Sequence, residues 1–127
     1  MKKKILLIDD DSTYIYILKQ LLKKHDGEGE IVTAGNGSKA LEILKIDYEM
    51  DELPEIIISD IEMPIMSGII FTQELEKLKL LDYTLTKVIL NSNNSRYAEL
   101  DWSVGIPAII YFQKPLLNKH LLTILGE

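Results

Sequence analysis

Three apolar runs in this chain end on residues able to do chemistry. Ile5-Leu6-Leu7-Ile8 runs into Asp9-Asp10-Asp11, Ile56-Ile57-Ile58 into Ser59-Asp60, and Ala108-Ile109-Ile110-Tyr111-Phe112 into Gln113-Lys114-Pro115. Short apolar runs of this kind read as buried parallel strands. In an open α/β sheet, ligands bind just beyond the carboxyl ends of the strands. If these strands lie side by side, carboxylates and one ammonium meet in one crevice. Clustered carboxylates repel and take up protons unless a cation intervenes. Mg2+ is the natural cation, because it prefers carboxylate oxygens, backbone carbonyls and water. A carboxylate beside it can be a nucleophile and form an aspartyl phosphate.

Each residue also has a plainer reading. Asp9-Asp10-Asp11 suits the N-terminus of a helix, where the dipole favours negative charge. Asp60 shifts the balance, since a second acid ending a separate buried strand faces the first group. Lys114 by itself is a solvated strand-end lysine. Pro115 fixes the turn after it, and a cis bond there would aim the amine inward. It can then pair with the acids at rest and with phosphoryl oxygens after transfer. Ser92, ending another strand, is able to donate to the same oxygens, although alone it reads as a cap.

The elements that must position these groups alternate strand and helix. Strands are predicted over 4–8, 30–34, 55–59, 86–91 and 108–112. The first helix is capped by Ser12 and carries Tyr14, Ile17, Leu18, Leu21 and Leu22 at helical spacing. Ser38 caps a second helix after the Asn36-Gly37 turn, and 47–54 reads as a polar, acidic connection. A third helix carries Ile69, Ile70, Phe71, Leu75 and Leu78. A short fourth, opened by Asn93-Asn94-Ser95, reaches about Ser103 and includes Trp102; the last runs from near Leu117 to Leu125. Five β-α units imply an α/β fold, a parallel sheet with helices on both faces. A flavodoxin-like strand order, 2-1-3-4-5, sets the first and third strands together and best explains the acidic clustering.

Composition narrows the function classes. The 127 residues fit one domain, and 46% hydrophobic content supports a real core. A net charge of −6 argues against direct binding to nucleic acid, whose phosphates need a basic face. Cysteine is absent, which excludes disulfides and thiolate metal sites. No apolar stretch reaches membrane-spanning length, and the run after Lys2-Lys3-Lys4 breaks at Asp9, too early for a signal peptide. The expectation is a cytoplasmic chain without membrane contact, a single domain over 1–127 with no output domain.

The chain resembles the receiver domain of two-component response regulators. The matching pieces are Leu7-Ile8-Asp9-Asp10, Ser59-Asp60-Ile61-Glu62-Met63-Pro64 with Gly68, Ser92 after Val88-Ile89-Leu90-Asn91, and Tyr111-Phe112-Gln113-Lys114-Pro115. The resemblance implies that Asp60 is the phosphoacceptor. It implies that Asp9, Asp10 and Asp60, with the backbone carbonyl of Glu62, hold Mg2+. Ser92 and Lys114 fall on the hydroxyl and lysine that meet the phosphoryl group, and Tyr111 on the aromatic that changes rotamer as the hydroxyl shifts. Implied partners are a histidine kinase or histidine phosphotransfer protein as donor, and a downstream protein bound through the fourth helix, fifth strand and last helix. Catalysis would be confined to the domain's own phosphorylation and dephosphorylation. Four departures bear on rates and partner choice: Asn93 stands where the family usually has a very small residue, Glu62 adds a negative charge, Pro107 stands where a glycine is common, and the segment 47–54 is long.

Other readings use the same residues differently. Asp9-Asp10-Asp11-Ser12-Thr13 fits the Asp-x-Asp-x-Thr opening of haloacid-dehalogenase-type phosphatases, with Asp9 as nucleophile, Asp11 as general acid and Lys114 on the phosphate. That reading leaves Asp60 unused and lacks a later acidic pair. A receiver-like scaffold that only binds proteins is a further alternative. Flavodoxin-type flavin binding lacks a Gly/Ser/Thr-rich phosphate loop.

Overall fold

Continuous apolar strands need cover on both faces, and the fold supplies it. The computed structural model describes residues 3–25, 27, 29–100 and 109–126. Its elements are β1 (Lys4–Ile8), α1 (Ser12–His25), β2 (Glu30–Ala34), α2 (Gly37–Met50), β3 (Ile56–Asp60), α3 (Gly68–Leu78), β4 (Lys87–Ser92), a 3-10 helix (Ser95–Glu99), β5 (Ile109–Gln113) and α4 (Asn118–Leu125). All strand pairings are parallel, in the order β2-β1-β3-β4-β5. This is the flavodoxin-like α/β fold expected from the strand and helix alternation.

Side chains alternate across the sheet with a period of two, which splits the core into two layers. Ile5, Leu7, Ile56, Ile58 and Ile89 face one way, onto Leu18 and Leu22 of α1 and Leu121, Ile124 and Leu125 of α4. Leu6, Ile8, Ile57 and Val88 face the other, onto Ala40, Leu41 and Leu44 of α2 and Phe71 and Leu75 of α3. The inner strands β1, β3 and β4 are buried almost throughout, whereas the edge strands β2 and β5 are half exposed.

Several boundaries differ from expectation, each for a local reason. Asp11, not Ser12, caps α1: its Oδ1 accepts from the Thr13 and Tyr14 N–H groups at 3.0 and 3.2 Å. Asn36, not Ser38, caps α2, accepting from the Lys39 N–H at 2.9 Å. The stretch 47–50 is helix rather than connection, because the buried Asp47 carboxylate has Lys4 Nζ 3.1 Å away. That helix stops at Asp51, which takes left-handed φ, ψ of 56° and 41°. β3 and β4 each begin and end one residue later than predicted, so Asp60 pairs with Asn91 and Ser92 with Gln113 inside the ladders. The fourth helix is a 3-10 helix over Ser95–Glu99. Trp102, Ser103, Gly105, Pro107 and Ala108 lie outside the described residues, as does the rest of 101–108.

Candidate functional site

Register brings the acids together. Ile8 of β1 pairs with Ser59 of β3, so Asp9 and Asp60 come next on adjacent strands. One carboxylate oxygen each from Asp9, Asp10 and Asp60 lies within 4.8 Å of the other two. Asp9 and Asp60 are only 6% and 7% exposed, while Asp10 opens to solvent. Asp9 Oδ1 accepts from the Asp11 N–H at 2.9 Å, and Asp60 Oδ1 accepts from the Ile61 N–H at 2.9 Å. Gly68 lets α3 start directly beneath: its N–H donates to the Ile61 carbonyl at 2.8 Å, and a Cβ there would overlap the Asp60 carbonyl oxygen.

Lys114 reaches the same point from the end of β5. The Lys114–Pro115 peptide is cis, and Lys114 Nζ lies 2.7 Å from Asp9 Oδ2 and 3.4 Å from Asp60 Oδ1. Burial acts to lower the Lys114 pKa, but the hydrogen bond and charge of Asp9 and the charge of Asp60 outweigh it and hold the ammonium above its ordinary range. One amine does not balance the acids. Burial, and then the Asp9 charge, push the Asp60 carboxyl up to about 6 despite Lys114 and the Ile61 N–H. The donor set of hard carboxylate oxygens with surplus negative charge therefore fits a divalent, oxygen-seeking cation.

An open crevice of about 320 Å³ beside the acids is lined by Asp60, Glu62, Ser92, Asn93, Asn94 and Lys114. A second hollow, of about 310 Å³, lies on the β1 side and is lined by Asp9 and Asp10 among others. Ser92 Oγ accepts from the Asn94 N–H at 3.0 Å, so its own proton remains to be donated. Tyr111, half-buried on β5, directs its hydroxyl at the Ser92 carbonyl at 3.5 Å. Glu62 and Asn93 are exposed on the rim. Asp11 Oδ1 caps α1, and its carboxylate is not part of the cluster formed by Asp9, Asp10 and Asp60.

Two polar neighbours of the cluster escaped the sequence reading. Asn91 sits on the α1/α4 face of β4, and its Nδ2 donates to the Tyr14 hydroxyl at 3.0 Å. The Tyr14 ring lies beneath Lys114 Nζ, 4.4 Å from its centroid. The signal for Asn91 was present as one amide in an otherwise apolar buried strand. Tyr14 was legible only as a core-facing helical residue.

Residues 5–126 match the family model described as response regulator receiver domain. Sporulation initiation phosphotransferase F of Bacillus subtilis (strain 168) is 30% identical over 119 residues, covering 91% of this chain and 84% of that protein. The two-component response regulator ARR11 of Arabidopsis thaliana is 33% identical over 119 residues, covering 93% of this chain and 21% of that one. A two component response regulator from Cytophaga hutchinsonii has the same fold, with a TM-score of 0.85 at 23% identity over 99% of this chain and 96% of that one. The chain belongs to the response-regulator receiver family of two-component systems. It spans about a fifth or less of the length of several curated relatives it matches.

Proposed function

We propose that Asp60 accepts a phosphoryl group from the phosphohistidine of a histidine kinase or phosphotransfer protein, in the cytoplasm and with Mg2+, and that this switches a protein-binding surface. The observation that carries the reading is the surplus of negative charge where β1 and β3 end: three carboxylates within 4.8 Å and one lysine. The names of two relatives, a phosphotransferase and a sensor histidine kinase, support a relay role. Asp9, Asp10 and Asp60, with the Glu62 carbonyl, would hold the Mg2+. When bound, the ion supplies positive charge to the phosphoryl oxygens.

The residues then divide the work. Asp60 Oδ1 is tied to the Ile61 N–H and Lys114, so Oδ2 is the oxygen that attacks phosphorus. An O–P bond forms as the donor's P–N bond breaks, and the donor imidazole keeps the electron pair and takes a proton. Phosphorylation adds charge and strong acceptor oxygens. The Lys114 ammonium pairs with them, and the Ser92 hydroxyl donates to one. Movement of Ser92 loosens the Tyr111 contact, so Tyr111 turns inward. The surface formed by the 3-10 helix, β5 and α4 then shifts population toward a form bound by a downstream protein.

Incubation with a small phosphodonor and Mg2+, followed by intact mass, tests the reading. The expected result is an adduct on the native protein that disappears with a chelator or in Asp60→Asn. An undiminished adduct on Asp60→Asn, or none on the native protein, contradicts it.

A further inference from the structure

Lys114 has a third contact besides its two carboxylates. Its Nζ stands 4.4 Å from the centroid of the Tyr14 ring, inside the range where an aromatic face attracts an ammonium. Tyr14 is on the first turn of α1, and its ring packs against the α1/α4 core layer. Its hydroxyl is fastened by Asn91 Nδ2 of β4, which donates to it at 3.0 Å. The phenol thus links the strand beside Asp60 to the amine of Lys114.

Asn91 is an expensive anchor. It is 1% exposed, and its Oδ1 has no hydrogen-bond partner among the described residues. A half-satisfied buried amide costs stability that an apolar residue would not. Its one bond fixes the Tyr14 hydroxyl. The ring also differs from the carboxylates in kind: its attraction for the ammonium persists when phosphorylation changes the charge on Asp60.

We propose that Tyr14 is a positioning residue for Lys114, with the ring face holding the amine over the acid cluster and Asn91 anchoring the ring. Its consequence for phosphoryl transfer rests on the function proposed above; the placement of Lys114 does not. The test is acetylation of the folded chain by a small acylating reagent, read by peptide mass as the rate at Lys114 relative to Lys4. Lys4 lies in a second, half-buried ion pair, with Asp47 at the start of β1, so general loosening raises both rates and leaves the ratio unchanged. In Tyr14→Leu the ratio is expected to rise about fivefold or more, and in Tyr14→Phe, which keeps the ring but loses the hydroxyl that Asn91 anchors, by about twofold to threefold. In Asn91→Leu it rises about twofold to threefold, scaled from the same contact, and this variant decides the matter should Tyr14→Leu fail to fold. An unchanged ratio in the folded variants overturns the proposal, as does a Tyr14→Phe effect equal to that of Tyr14→Leu. Uptake from a small phosphodonor should fall in parallel in Tyr14→Leu. If the native chain takes up no phosphate at all, the proposed function fails while the acetylation ratio still judges Tyr14.

Discussion

Two lysine–carboxylate contacts, one half-buried and one buried, stand at opposite ends of the sheet. Lys4, opening β1, has Asp47 Oδ2 at 3.1 Å and donates to the Glu52 carbonyl at 2.9 Å. Lys114, just past β5, has Asp9 at 2.7 Å and Asp60 at 3.4 Å, with Asp10 beside them. The residue types are the same but the charge balance is not. The first site matches one acid with one amine and ties α2 to β1. The second leaves acids in excess. A balanced buried pair is a fastening whose value lies in not being broken. An unbalanced one holds electrostatic strain that a cation relieves, and it is the end where ligands of such sheets bind. The loop beside it carries further strain: the Met66 N–H donates to the Pro64 carbonyl at 2.7 Å across Ile65, whose φ is 70°.

The same substitution should therefore have opposite signs at the two ends. Asp60 has a folded pKa raised from 3.8 to about 6. Its contribution to stability is full below the unfolded value and is lost as pH rises through 6. Asp60→Asn removes that loss. At pH 8 without divalent metal it should stabilise the protein by up to about 3 kcal/mol, the gap opening between pH 4 and 6. Asp47→Asn leaves Lys4 without its counter-charge and should destabilise by about 2 kcal/mol. Urea unfolding of both variants measures this, and equal signs would break the comparison.

Metal should separate the ends next. Mg2+ at about a hundred times its dissociation constant should stabilise the native chain by about 2.7 kcal/mol. Asp9→Asn should abolish most of that gain, whereas Asp47→Asn should keep it. Thermal unfolding with and without chelator reads the difference. A gain that survives Asp9→Asn would place the metal elsewhere.

The smallest effect concerns the loop. Ile65 is a β-branched residue in left-handed backbone and 83% exposed, so Ile65→Gly trades no core contact for relief of strain. Glycine's added freedom in the unfolded chain offsets part of the gain, leaving a net stabilisation of about 1 kcal/mol or less. A loss of stability would mean the isoleucine side chain supports the loop.

Much of the unbalanced end was legible in the sequence, and little of the balanced one. Asp9, Asp60 and Lys114 each terminate an apolar run, and parallel strands bring such ends together. Asp47 offered no comparable signal. In a stretch of acids it reads as loop, and only Lys4, far off in the chain, makes its place in α2 tolerable. The caps at Asp11 and Asn36 were misread by one and two residues because several adjacent polar side chains could serve, and backbone geometry chose among them. Tyr14 was read correctly as core-facing. That its ring also meets an ammonium depends on β5 and the turn after it, which helical spacing does not reveal.

The most direct measurement is an NMR titration of the Asp60 side-chain carboxyl carbon, with and without Mg2+. The expected midpoint lies near pH 6 in metal-free protein and moves clearly downward when Mg2+ is added. A midpoint near the ordinary carboxylate value, indifferent to Mg2+, would contradict it.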